Sequence, residues 1–483
     1  MRFLNIFLCA AIISVSSMSS AATLISTDNS LPMIGDSTSG IISLDKEHRV
    51  GQAWARTLRG SVPLLNDPIA YSYLYDLLWQ LTAHSQLQDK RLELIVLDNP
   101  TLNAFAVPGG IVGIHGGLLL SAENEDELAS VIAHELAHLS QRHFAAQLEE
   151  SRRNRPFTLA TMLASILIAS ADTQAGVAAI TSSIAAQQSS RLAFSRQNEQ
   201  EADRIGMQNL VAAGVDPNAM PRMFSRMQRA QRFQGARPPE FLLTHPVTES
   251  RIADSLNRAA QLPIPSDVKP SLYFDLTRTR LSVHFANNPQ KVLNYYQTEA
   301  EASQTPLDYY GLAVASIRLN QFKQAQSALS KLPASWKQHL FVKLTEAELQ
   351  IAAEAWLTAT KQLEQLANIY PGHYAVELLL AKAYMGAEQP NKAIQVLNKL
   401  KLDYPTDINI WYLLSEALGQ AGKTNAVHQA RVEYFLLTGQ IDKALQQITF
   451  ATREPDLSSS DIARLKQLEI DTKRVREEMK MDL

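Results

Sequence analysis

The spacing of apolar residues along the chain changes several times, and each change predicts a different element. Residues 91–98, "RLELIVLD", alternate and then run into β-branched residues, which predicts a strand ending at a turn over Asn99 and Pro100. "NAFAVPGGIVGIHGGLLL" supplies two more short extended pieces, with Pro108, Gly109 and Gly110 where a strand pair can reverse. The period then becomes helical: Leu128, Val131, Ile132 and Leu136 fall three or four apart. Ser121 or Asn124 is placed to cap that helix, and Glu123, Glu125, Asp126 and Glu127 suit the positive end of its dipole.

Beyond Pro263 and Pro265 the pattern becomes a repeat. Ala313, Ala347 and Ala381 lie 34 residues apart, as do Ala325, Ala359 and Ala393, and also Leu329, Leu363 and Leu397. Two small positions and one large apolar position at this period predict tetratricopeptide repeats, in which small side chains let paired helices touch. Pro371 and Pro405 end two units at the same phase, and the last unit, "YFLLTGQIDKALQQI", is slightly out of register. Stacked helical hairpins present a concave surface to other proteins. The fold class expected is α+β and mostly helical: a first domain with a small β-sheet, then an all-α repeat domain. The expected divisions are residues 1–22, 23–262, 263–306 as linker and connecting helix, and 307–483.

The first segment is unlike the rest. Arg2 precedes an apolar run from Phe3 to Val15 and small residues up to Ala22, the pattern of a cleaved signal peptide. The run is shorter than the ~20 residues needed to span a bilayer. The only cysteine, Cys9, lies within it, so the mature chain is expected to be exported yet to hold together without disulfides. With 45 basic and 48 acidic residues and no basic run, nothing points to a nucleic-acid partner. Residues 157–188 are poor in charge and are read as an apolar flap or a membrane-touching hairpin near the cleft.

Candidate chemistry sits on the acid-capped helix, in "HELAH". Residues four apart share a helix face, so His134 and His138 can approach one ion together, with Glu135 placed beside it to act on a water. A catalytic zinc site usually takes a third protein ligand and leaves one position for water. The pattern HExxHxxGxxH does not supply that ligand here, because Gln141 replaces the glycine, Phe144 stands at the last position and His143 is out of phase by one. "SRQNEQEADRIG" offers Glu199 and Asp203 four apart on a second predicted helix, one to bind metal and one to act beside it. Glu201 falls off that face and is expected to leave the metal unaffected. His115, flanked by glycine, is expected to be an exposed turn residue, not a ligand.

"HELAHLSQRH", "SRQNEQEADRIG" and "THPVTESRI" together resemble the zinc metallopeptidase family that includes HtpX, the Oma-type quality-control proteases and the CAAX-prenyl endopeptidases. With the leader and the repeats, the chain is similar to periplasmic members of that family. The resemblance implies a zincin-like domain, one Zn2+ per chain held by His134, His138 and Glu199, and Glu135 as catalytic base. It implies for Asp203 either proton donation or support of a ligand histidine, and for His245 a regulatory fourth position on the metal that holds the enzyme off. It implies a periplasmic endopeptidase, also a chaperone, that promotes assembly of outer-membrane β-barrels and degrades misassembled ones. The implied partners are the barrel assembly machinery and unassembled clients, bound through the repeats. The alternative is a repeat-based adaptor whose metal site is mainly structural.

Overall fold

The computed structural model describes residues 43–146, 195–233, 240–265, 270–455 and 457–482. The expected signal peptide and the expected flap at 157–188 lie outside the described residues. Helices α1 (Leu44–Ser61) and α2 (Pro68–Ala83) precede strands β1 (Glu93–Leu97), β2 (Ala104–Val107) and β3 (Ile111–His115). The strand order is β1-β3-β2, with β3 parallel to β1 and antiparallel to β2. The β2–β3 reversal uses Gly109 and Gly110 at φ 87° and 84°, a conformation that a side chain disfavours. Alternation buries both faces of the sheet: Leu94, Val96 and Ile114 face the main core, while Ile95, Phe105, Val107 and Ile111 pack on Trp54 and Leu58 of α1.

After the short helix α3 (Gly117–Ser121), α4 (Glu125–Ser140) begins at Asn124, whose side chain accepts from the Glu127 amide at 3.0 Å. Helix α5 (Arg196–Ala212) is capped by Ser195 and lies along α4. The close approach depends on Gly206, where a Cβ would stand 3.1 Å from the Ala133 carbonyl oxygen. Helices α6 (Ala219–Phe233), α7 (Glu240–Thr244) and α8 (Glu249–Ala259) close over this pair. No helix of the described residues is long and apolar enough to cross a membrane.

Helices Leu272–His284 and Pro289–Ala302 lead into antiparallel helix pairs that run to residue 451, and the helix Ser459–Asp482 ends the array. The alanines and leucines that recur every 34 residues are all buried between paired helices. The structure adds a second periodic feature: Asn320, Glu354, Glu388 and Gly422, also 34 apart, take φ of 58°, 57°, 57° and 69° at the tip of successive hairpins. A non-glycine residue tolerates this region at a cost of roughly 1–2 kcal/mol, so the turn geometry is set by the helix packing. The repeats curl back onto the first domain. Arg280 is buried between Asp67, at the N-cap of α2, and Glu348 of a repeat helix, at 2.8 Å from each. The Ser72 hydroxyl accepts from the Ala375 amide at 3.2 Å, and Tyr71 packs on Tyr374. The terminal helix lies against α1.

Candidate metal centre

Helix α4 presents His134 and His138 on one face, buried, with their Nε2 atoms 3.1 Å apart. Helix α5 brings in Glu199, whose carboxylate oxygens lie 3.6 Å from His134 Nε2 and 3.5 Å from His138 Nε2. His245, just past α7, places Nδ1 3.4 Å from His134 Nε2 and 2.9 Å from Glu199 Oε1. These four side chains offer one donor atom each within 4.8 Å of one another, all buried. Donors arranged tetrahedrally at ~2.1 Å from an ion lie ~3.4 Å apart, and the separations given above, 2.9–3.6 Å, bracket that value. Burial, then the neighbouring imidazoles and Arg251, push the His138 pKa well below its ordinary value, so the ring is in the neutral form that can ligate. Burial alone would raise the Glu199 pKa, but His245, then Arg251 and His134, hold it below the usual carboxylate range. Three imidazoles and a carboxylate suit zinc better than magnesium or calcium, which prefer oxygen.

Asp203 does not join the four. Its Oδ1 lies 3.0 Å from His134 Nδ1, and Arg251 grips both its oxygens, Nε to Oδ2 at 2.8 Å and Nη2 to Oδ1 at 2.6 Å. Burial favours its protonation, yet the bonds from His134 and Arg251 outweigh this and lower its pKa. Arg251 also reaches Glu199 Oε2 at 2.5 Å and the Pro246 carbonyl at 2.9 Å, so one guanidinium ties α5 to the loop carrying His245. Sequence reasoning missed Arg251. An arginine on an amphipathic helix ordinarily faces water, and only its place six residues after His245 in "THPVTESRI" hinted otherwise.

Glu135 is buried one position round the helix; its Oε1, 3.6 Å from His245 Nε2, makes no hydrogen bond. Burial raises its pKa above the usual carboxylate range, moderated by His245 and His134. Its carboxylate receives the backbone N–H of Ala106, on β2. His115 N–H donates to the Asn103 carbonyl, so by alternation Phe105 and Val107 bond toward β3, and the polar backbone of Ala104 and Ala106 faces the site. β2 is thus an edge strand whose open side meets Glu135. One expectation needs correction. His115 is fully buried at the end of β3, not exposed, with Nδ1 2.9 Å from Thr101 Oγ1, and burial lowers its pKa to about 4. Glu201 lies off the ligand face and reaches His143, which touches His138.

Residues 70–259, which hold every element of this site, match the model of peptidase family M48, and residues 350–417 match a tetratricopeptide repeat. The beta-barrel assembly-enhancing protease of Escherichia coli (strain K12) is 34% identical over 439 residues, 90% of each chain. The chain belongs to peptidase family M48. A putative beta-barrel assembly-enhancing protease of Vibrio cholerae is likewise 34% identical, over 90% of each chain. The mitochondrial metalloendopeptidase OMA1 of Schizosaccharomyces pombe is 34% identical over 214 residues, 44% of this chain and 60% of that one. Likeness to the mitochondrial enzyme thus covers less than half of this chain, whereas likeness to the bacterial ones covers most of it. This M48 chain is therefore a metallopeptidase carrying a repeat array.

Proposed function

We propose that this chain is a zinc endopeptidase of the bacterial periplasm that promotes assembly of outer-membrane β-barrel proteins and degrades misassembled ones. The observation that carries the reading is the buried quartet of His134, His138, Glu199 and His245 with Glu135 beside it, in a chain so similar to proteases named for barrel assembly. Bound there, zinc supplies the Lewis acidity that activates a water and polarises a peptide carbonyl. Glu135 takes the proton of the attacking water and returns it to the leaving amine. Asp203 is a positioning residue: ionised and held by Arg251, it has no proton to give, and it fixes the His134 ring through Nδ1. The open edge of β2 pairs with an extended substrate, which gives affinity through main-chain bonds and tolerates varied sequences. The repeats hold the client and the assembly machinery, and chaperone activity resides in them.

His245 makes the quartet a closed set, because four protein donors leave no position for water. A closed site also suits a repeat-based adaptor with a structural metal. The buried Glu135 favours the enzyme, since a structural site needs no base. In the enzyme reading the closed quartet is a latent state, and His245 leaves when substrate enters. Zinc analysis of the purified chain, with casein digestion by the parent and the Glu135→Gln and His245→Ala variants, tests both. The expected result is one zinc per chain, strongly reduced cleavage with Glu135→Gln, and faster cleavage with His245→Ala. Undiminished cleavage by Glu135→Gln would sink the mechanism, and an unchanged rate in His245→Ala would remove the latch.

A further inference from the structure

The third histidine of "HELAHLSQRH" is a chemically competent side chain at the centre to which the mechanism gives no part. His143 is buried, and its Nδ1 lies 3.0 Å from His138 Nδ1. Its Nε2 lies 3.4 Å from Oε2 of Glu201, a carboxylate about a third exposed. The chain reaches this arrangement through Arg142, which takes φ 51° just past the C-cap Gln141 of α4 and redirects the chain at His143. Such a conformation costs of order 1–3 kcal/mol for a non-glycine residue. The side chain of Arg142 is anchored against this cost, donating to Glu47 Oε1 at 2.5 Å.

We propose that His143 and Glu201 form a relay that positions His138 as a metal ligand. The proton positions follow from the contacts. For His138 Nε2 to present a lone pair to the other three donors, the proton of the neutral ring must sit on Nδ1. That Nδ1–H then donates to His143 Nδ1, an acceptor, which places the His143 proton on Nε2, facing Glu201. The relay ends on a carboxylate, as does the support of His134, but with an imidazole interposed. His134 is held directly by buried Asp203, and His138 indirectly by a carboxylate at the surface. His143 is thus a positioning residue, not a ligand displaced by one residue.

The proposal rests on His138 being a zinc ligand. Its test is the zinc dissociation constant of the full chain, by chelator competition, for the parent and for His143→Leu, His143→Gln and Glu201→Gln. The ¹⁵N shifts of His138 in the zinc-free chain report its tautomer. Loss of an orienting partner costs about 10–100-fold in metal affinity, the weakening expected for His143→Leu. Glutamine accepts and donates, so His143→Gln retains most of the affinity, and Glu201→Gln, at a partly exposed site, weakens zinc without unfolding the chain. In His143→Leu the zinc-free His138 loses its preference for the Nδ1–H tautomer. Equal zinc affinity in parent and His143→Leu overturns the relay. So does an equal loss in His143→Leu and His143→Gln that tracks a lower unfolding temperature of the zinc-free chain, since packing alone then accounts for it. A parent that binds no zinc instead overturns the reading of the metal centre.

Discussion

The metal centre and the repeat array are both built from packed helices, but they bury opposite kinds of surface. In the centre the buried side chains are His134, Glu135, Glu199, Asp203 and Arg251, and His134 meets His245 across 111 residues of chain. In the repeats the buried positions are Ala325, Ala359, Ala393, Leu363 and Leu397, which serve the hairpin they belong to and its neighbours. A buried polar group is costly unless every partner is present, so the centre is an all-or-none arrangement. Apolar contacts add up over area and tolerate loss by degrees. The centre should therefore fail sharply, and mostly in function, whereas the repeats should fail gradually, and mostly in stability.

Four changes break or sharpen that contrast. Glu135→Gln should lower the cleavage rate by about 10²–10⁴-fold while zinc content stays at the parent level, because a base is lost and all the donors remain. Peptide digestion alongside metal analysis measures both. Next is Arg280→Ala, which leaves Asp67 and Glu348 buried without their cation. Breaking a buried pair costs about 3–5 kcal/mol, seen here as earlier unfolding in denaturant and separation of the repeats from α2. A single unshifted transition would show that this contact does not couple the two regions. Leu363→Ala should cost roughly 2–5 kcal/mol through the cavity it opens and leave the zinc dissociation constant unchanged. A changed zinc affinity would mean that the repeats reach the centre energetically. The smallest effect is expected from Glu354→Gly, which relieves a positive φ and should raise stability by up to ~1 kcal/mol. A loss of stability there would show that the Glu354 side chain contributes more than its backbone costs.

Much of this was legible in the chain. Histidines four apart can share a helix face whatever surrounds them, and a 34-residue period of alanine and leucine registers the same packing in each unit. Arg251 and Glu201 were not legible. Each is a charged residue on a helix, the composition of a solvated face, and each gains its meaning from a partner on another segment: Asp203 for the one, His143 for the other. The hairpin tips were hidden for a different reason. Asn320, Glu354 and Glu388 share a backbone conformation but not a residue type, because the packed helices impose the turn.

What the sequence by itself determined is whatever depends on local spacing: the acid-capped helix with its two histidines, the strand reversal at Gly109 and Gly110, and the repeat period. What only the tertiary structure decided is which polar residues leave water and face one another. It places Asp203 and His143 behind the two ligand histidines, Arg251 across Asp203 and Glu199, the β2 edge against Glu135, and His245 within reach of a metal. The physical reason is that helix and turn propensities act over a few residues. The burial of a charge is settled by partners brought from far along the chain, once the core has closed around them.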